Sequence, residues 1–410
     1  MLMKTFRSVF SLLILFVLGF SFGMISCKKK SDPPPYDYTP ELQAMLDTQW
    51  NAFWADKENP VGGFMMKISS PLGDYFASAN FNDSVNQHFH FRGASTTKTF
   101  TAAAIMLLAQ QGKLNIEDRV TDLIPGKTEP YLPATPDFNI PHKNEITLKL
   151  LLQHRAGVFD LVNDPVPDTV NEPYAGMQYS VYVIEVLGDT LHTFTYEEWA
   201  TILSKHHLSY FTPDSAYHYS DIGYNLLGLI VERISGMPFE DYVKQHLLVP
   251  NGLNETTFPS LGTTYWLPDP YVKSYYWMQG QSFESTYWSN PSSHVAEGNV
   301  ITTNYDLNLW VKRLIRGEAG LSRATVDEMM DVLETFESHQ YYGLGIVYTP
   351  GLGYGHNGAT AGYLTVMRYN PDNQVSFTMI ASFWHIEDLY TEIYHMYDIA
   401  HEANKILGYE

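Results

Sequence analysis

The stretch from Ser95 to Gln111 constrains the fold of this chain more than any other. Its interior, Ala102-Ala103-Ala104-Ile105-Met106-Leu107-Leu108-Ala109, is built of strong helix formers apart from Ile105. Gly112 follows where a helix-ending glycine sits. The pattern predicts a helix that opens on Ser95-Thr96-Thr97-Lys98. Residues three apart share one helix face, which makes the Ser95 hydroxyl and the Lys98 amine neighbours. A serine near its normal pKa is a poor nucleophile and needs an adjacent base. A lysine can be that base if burial or a nearby cation lowers its own pKa. The helix N-terminus adds free N–H groups that favour a developing anion. Taken alone, the four residues read more simply as a serine cap and a solvated lysine. A second Ser-x-x-Lys, Ser26 to Lys29, shows how readily the pattern arises.

The elements around this helix suggest a mixed α/β body. Gly62 to Phe81 reads as two strands joined by a Ser70-Pro71-Leu72-Gly73-Asp74 turn. Thr147 to His154 and Tyr224 to Ile234 read as helices, the latter ended by Gly236 and Pro238. Helical signals return at Asp306 to Arg316 and at Ile386 to Leu407. Tyr342 to Tyr348, Gly362 to Tyr369 and Val375 to Ser382 read as strands. Strands at both ends with helices between them imply an antiparallel sheet.

Composition narrows the function. Hydrophobic residues make up 45% of the 410 and charged residues 17%, which predicts a packed body and not a disordered chain. The formal net charge of −20 repels phosphate backbones and argues against nucleic-acid binding. Cys27 is the only cysteine, so no intramolecular disulfide can form.

The N-terminus reads as an address. Lys4 and Arg7 precede an apolar run from Val9 to Ile25, the layout of a secretory signal. Met24-Ile25-Ser26-Cys27 resembles a bacterial lipoprotein cleavage box, with Met24 where Leu is usual. That resemblance implies cleavage before Cys27 and lipid attachment there. The expected organisation is a signal peptide over 1–26, a lipidated cysteine and Pro-rich tether over 27–40, and one hydrolase body over 41–410. The body would be held at the membrane by the lipid anchor alone, in the periplasm or on the cell surface. A membrane-spanning helix is the alternative for the apolar run.

Segments along the body add a family resemblance. Phe89-His90-Phe91-Arg92-Gly93-Ala94-Ser95-Thr96-Thr97-Lys98-Thr99-Phe100-Thr101-Ala102 resembles the nucleophile region of the class C β-lactamase-like serine hydrolases. That family holds β-lactamases, D-alanyl-D-alanine carboxypeptidases, penicillin-binding proteins, D-amino-acid peptidases and esterases. Gly112-Lys113-Leu114 with Asp118, Val120 and Pro125, and Ile146 to His154 with Gly157, follow in family order. Tyr219-Ser220-Asp221-Ile222-Gly223-Tyr224-Asn225 resembles its second catalytic segment, and Gly355-His356-Asn357-Gly358-Ala359 with Gly362-Tyr363 its third. Val300 to Trp310 and Tyr342-Gly343-Leu344-Gly345 look like family framework.

The resemblance implies a β-lactamase/transpeptidase-like α/β (α+β) fold: an antiparallel sheet flanked by helices, with a mostly helical middle region. It implies that Ser95 is acylated, that Lys98 takes or relays its proton, and that Tyr219 acts with Lys98 as base and then as acid. His356 would hydrogen-bond Tyr219 or meet a substrate carboxylate. The N–H groups of Ser95 and Ala359 would form the oxyanion hole, while Asp221, Asn357 and Gly358 would meet substrate. Asp221 departs from the asparagine that lactamases of the family carry. An ionised Asp only accepts hydrogen bonds, and an anion there raises the pKa of Lys98. The departure weighs against β-lactam turnover. The function expected is hydrolysis of D-amino-acid peptides, carboxypeptidase-like. An esterase or amidase, a β-lactamase, and a non-catalytic cell-wall-binding protein remain as alternatives. No cofactor or metal is implied, and the oligomeric state is open.

Other signals carry less. His88-Phe89-His90 would put two imidazoles on one strand face, but no third zinc ligand is evident. His206-His207 diverge on a helix, and Gly351-Leu352-Gly353-Tyr354-Gly355 reads as a hairpin turn. The aromatic block Tyr265 to Trp288 reads either as a groove wall or as core packing and lid.

Overall fold

An apolar strand at each end of the body is what joins the two ends of the chain. The computed structural model describes residues 36–410 except 83, 279, 336–340 and 386–387, so Cys27, the signal stretch and most of the tether lie outside the described residues. Strands β1 (Phe64–Ser70) and β2 (Gly73–Ala79) form the expected hairpin. β3 (His90–Ala94) precedes the nucleophile helix (Thr97–Gln110). The aromatic block supplies β4 (Tyr275–Met278) and β5 (Gln281–Glu284), and β6 (Val300–Thr303) pairs antiparallel with β3. The C-terminal part adds β7 (Leu333–Glu334), β8 (Tyr341–Tyr342), β9 (Val347–Thr349), β10 (Gly353–Thr360), β11 (Tyr363–Asn370), β12 (Val375–Ala381) and β13 (Phe383–His385).

The main sheet runs β2-β1-β12-β11-β10-β9-β8-β7, antiparallel throughout. β1 sits between β2 and β12 and is buried on both faces, so its alternation is one of partner and not of exposure. Phe64, Met66 and Ile68 meet the N-terminal helix (Thr39–Trp54) and the C-terminal helix (Leu389–Ile406) in one apolar cluster. Met65 joins the larger cluster on the other side, with the nucleophile helix and the helix Asn304–Arg316. Thr97 through Leu108 are all buried, which makes the nucleophile helix the centre of the helical half. Trp310 stacks on Phe100 at 4.1 Å, and its indole N–H donates to Thr99 Oγ1 at 2.9 Å.

Four expectations need correction. The N-terminal helix starts at Thr39, inside the stretch read as tether, because Leu42, Met45, Leu46 and Trp50 give it an apolar face against the sheet. The strand read over Tyr342 to Tyr348 is two short strands. Gly345 breaks it at φ 70°, where a Cβ would lie 2.4 Å from that of Ala102. His88 stands in a turn, where it pairs with Glu255, while His90 opens β3 and its Nδ1 meets the Pro270 carbonyl. The aromatic block forms a small sheet with β13 in which the β13–β4 pair is parallel.

Candidate active site

The site is set where three backbones converge. β3 ends at Gly93-Ala94, and Ala94 takes a left-handed φ of 49° before Ser95. Such a conformation is costly for a residue with a Cβ and here turns the chain sharply from strand to helix. β10 passes so close that a Cβ on Gly358 would lie 2.2 Å from the Gly93 carbonyl oxygen. Only glycine permits that approach, and Ala359, next to it, lines the same cleft as Ser95. β10 and β11 close through Ala361 and Gly362, both at positive φ, with Thr360 opposite Tyr363. Hydrogen-bonded and non-bonded pairs alternate along an antiparallel ladder, so Ala359, next in line, turns its N–H away from β11. β9 pairs with β10 only as far as Gly355, which leaves that edge facing the cleft.

Lys98 is fully buried. Its Nζ lies 3.0 Å from Ser95 Oγ, 2.5 Å from Asp221 Oδ1, and 2.9 Å from the Glu297 carbonyl oxygen. Glu297 Oε2 follows at 3.3 Å. Burial works against its charge, but Asp221, Tyr219 and Glu297 more than offset this and hold the ammonium well above the ordinary lysine range. Asp221 opens the helix Asp221–Ser235, where the dipole favours an anion, and Lys98 keeps its carboxyl low despite burial. The Tyr219 ring lies beneath the ammonium at 4.8 Å. Burial raises the Tyr219 hydroxyl well above the ordinary phenol range, so it is protonated.

Segment 296–300 is tied to the nucleophile helix by two of its threonines. Thr101 Oγ1 donates to the Ala296 carbonyl at 2.5 Å, and Thr97 Oγ1 accepts from Val300 N at 3.0 Å. This seats Glu297 against Lys98. Asn163 donates to Asp160 and Asp221 at 2.8 Å each. Burial, with Asp221 nearby, pushes the Asp160 carboxyl up to about 8.

His356 is buried on β10, where Tyr342 takes the place expected of Tyr219. Its Nε2 lies 2.9 Å from the Tyr342 hydroxyl and its Nδ1 2.6 Å from the Asn357 carbonyl, while the Tyr219 ring stands 6.3 Å away. Burial, then Lys98, pushes its imidazole down to about 3, so it is neutral. Asn357 borders the cleft, yet strand alternation sends its side chain to the opposite face from His356. There it accepts from Arg368 at 2.9 Å and donates to Tyr397 at 2.6 Å.

The cleft has a volume of about 370 Å³. Ser95, Tyr219, Asp221, His356, Gly358 and Ala359 all line it, so the sequence-named residues do come together. The carboxylates of Asp160, Asp164, Asp221 and Glu297 border it, and neither lysine nor arginine lines it among the described residues. Trp384 and Tyr390 supply aromatic wall, whereas the block from Tyr265 stands a layer behind, with Tyr276 packed on Trp384 at 5.6 Å. Glu297, Asp160 and Asn163 went unread in the sequence, because no spacing ties them to the serine helix. Among the described residues no cluster of histidine, cysteine, aspartate and glutamate has the arrangement of a metal site.

A family model described as Beta-lactamase matches residues 72–400. The chain belongs to that family, a family of serine hydrolases, and has its fold. A putative D-alanyl-D-alanine carboxypeptidase of Escherichia coli K12 is 33% identical over 169 residues, 41% of this chain and 33% of the relative. Penicillin-binding protein 4* of Bacillus subtilis is 31% identical over 166 residues, 40% of this chain and 30% of the relative. The chain thus spans about a third of the length of the curated relatives it matches. The fold is also that of a D-stereospecific amidohydrolase from Streptomyces, with a TM-score of 0.69, 22% identity, and 83% of this chain and 94% of that one covered. D-amino acid amidase of Ochrobactrum anthropi, complexed with D-phenylalanine, gives 0.69 at 20% identity, with 91% of this chain and 99% of that one covered.

Proposed function

We propose that this chain hydrolyses amide bonds of D-amino-acid peptides or amides through an acyl-enzyme on Ser95. The observation that carries the reading is Lys98 Nζ held between Ser95 Oγ at 3.0 Å and Asp221 Oδ1 at 2.5 Å. Lys98 Nζ donates to Ser95 Oγ, to the Glu297 carbonyl and to Glu297 Oε2, while Asp221 Oδ1 faces it as an ion-pair partner. Once Lys98 has lost a proton to solvent, its amine takes the Ser95 proton while Ser95 Oγ bonds to the substrate carbonyl carbon. The N–H groups of Ser95 and Ala359 receive the oxyanion. The neutral Tyr219 hydroxyl gives its proton to the leaving nitrogen as the C–N bond breaks, and regains one through Lys98. Water then releases the acid by the same path in reverse. His356 acts from behind, as the partner of Tyr342.

The names of the two curated relatives, and the amidases that share the fold, support a D-amino-acid substrate. The charge of the cleft favours one of the alternatives over a carboxypeptidase. A substrate ending in carboxylate would face Asp164 and Asp221 with neither lysine nor arginine in the lining and with His294 already paired to Glu297. A neutral amide or ester meets no such penalty. The test is a paired assay on D-alanyl-D-alanine peptides with a free or an amidated C-terminus, alongside D- and L-amino-acid p-nitroanilides. Faster release from the amidated and D-forms, lost in Ser95→Ala, is expected. Preference for the free carboxylate would overturn the amidase reading, and L-preference the D-amino-acid reading.

We also propose that Cys27 is lipidated and anchors the body outside the cytoplasm. Cys27→Ala should leave the membrane fraction, and continued membrane association would count against the anchor.

A further inference from the structure

Ser220, His154, Tyr342 and His356 form a hydrogen-bond chain whose protons have one arrangement. A backbone carbonyl only accepts, so the 2.6 Å contact to Asn357 O places the proton of His356 on Nδ1. His356 Nε2 is then bare and accepts the Tyr342 hydroxyl proton at 2.9 Å. The Tyr342 oxygen, its only proton committed, accepts from His154 Nε2 at 3.1 Å. His154 Nδ1 is therefore bare, and it accepts the Ser220 backbone N–H at 3.0 Å. His154 is held at a left-handed φ of 57°, and its ring lies 4.1 Å from that of Tyr219.

We propose that His154 and Tyr342 are positioning residues that hold Tyr219 where it can protonate the leaving group. The chain fixes the backbone next to Tyr219 through Ser220 and supports its ring through His154. It joins the turn after the helix Leu148–Leu152, the start of the helix Asp221–Ser235, and β10. Tyr342 is the link between the two imidazoles: without its hydroxyl, His356 Nε2 and His154 Nε2 both lose their partner, and the His154 ring loses the hydrogen bond that holds it against Tyr219. The proposal rests on the acyl-enzyme reading and goes beyond it in assigning work to groups that touch neither Ser95 nor Lys98.

Two measurements on the body from Pro33 onward test it. Imidazole nitrogen NMR at neutral pH, assigned with His154→Gln and His356→Gln, should show His154 as the Nε2–H tautomer and His356 as Nδ1–H. The opposite tautomer at either would overturn the proposal, whatever the activity. Tyr342→Phe keeps the ring and removes the O–H. A p-nitroanilide needs its leaving nitrogen protonated and an activated p-nitrophenyl ester does not, so kcat should fall at least about tenfold on the anilide and much less on the ester, with KM little changed. Equal losses on both, or a loss confined to KM, would mean ordinary structural damage and overturn the proposal. Correct tautomers with a wild type inactive on both substrates would instead overturn the acyl-enzyme reading, and the positioning role with it.

Discussion

Replacing Asp221 with asparagine should move the pH at which Ser95 becomes reactive. The carboxylate stands 2.5 Å from Lys98 Nζ, and both groups are buried. At an effective dielectric constant of ~20, unit charges that close attract by about 6–7 kcal/mol before desolvation is subtracted. Asparagine keeps the shape but not the charge, and Glu297 remains 3.3 Å away to hold part of the ammonium's preference. Losing a charge partner at this range lowers the Lys98 pKa. The assay is the rate of phosphonylation by a fluorophosphonate across pH, which reports serine activation without a known substrate. The acid limb of that profile should move to lower pH in Asp221→Asn. An unmoved limb would refute Asp221 as the group that keeps Lys98 charged. The same change removes an anion from the cleft, so acylation by benzylpenicillin should quicken. A wild type already fast on penicillin, and slowed by Asp221→Asn, would contradict the reading of Asp221.

Two further outcomes follow from packing and burial. Gly358→Ala places a Cβ 2.2 Å from the Gly93 carbonyl, a backbone atom that cannot swing aside; a cost of about 1–3 kcal/mol or more should appear as a lower Tm with loss of Ser95 labelling, and an unchanged Tm would refute the close approach. Burial pushes the Asp160 and Glu392 carboxyls up to about 8. Their contribution is whole below the ordinary carboxylate range and is lost as pH rises through 8, while that of the depressed His356 is whole above about 6.5 and is lost as pH falls. Between pH 6.5 and 8 stability should therefore fall with rising pH, by up to about 1.4 kcal/mol per unit for each carboxyl, and less so in Asp160→Asn; a flat or rising Tm there would overturn this.

The fold was legible where local chemistry and packing agree. Ala102 to Ala109 read as a helix and is one, because the segment is both helix-prone and buried. The Ser70 to Asp74 turn was marked by residues that such turns require. The helix Thr39–Trp54 was hidden by the proline-rich stretch before it, and its apolar face has meaning only against a sheet whose other strands lie three hundred residues on. At the site, Ser95, Lys98, Tyr219, Asp221 and His356 were legible as motif residues. Their partners were not. Glu297 reaches Lys98 because threonines of the nucleophile helix seize its loop, and Tyr342 meets His154 and His356 only once the sheet has formed. The hydrogen-bonding of His356 and Asn357 turned on strand alternation and on neighbours that the motif does not contain.

The most direct test of the account is intact-mass analysis after fluorophosphonate labelling, with peptide mapping and Ser95→Ala as control. One phosphonyl group on Ser95, absent from the variant, is the predicted result. Labelling that persists in Ser95→Ala, or that maps to another residue, would contradict it.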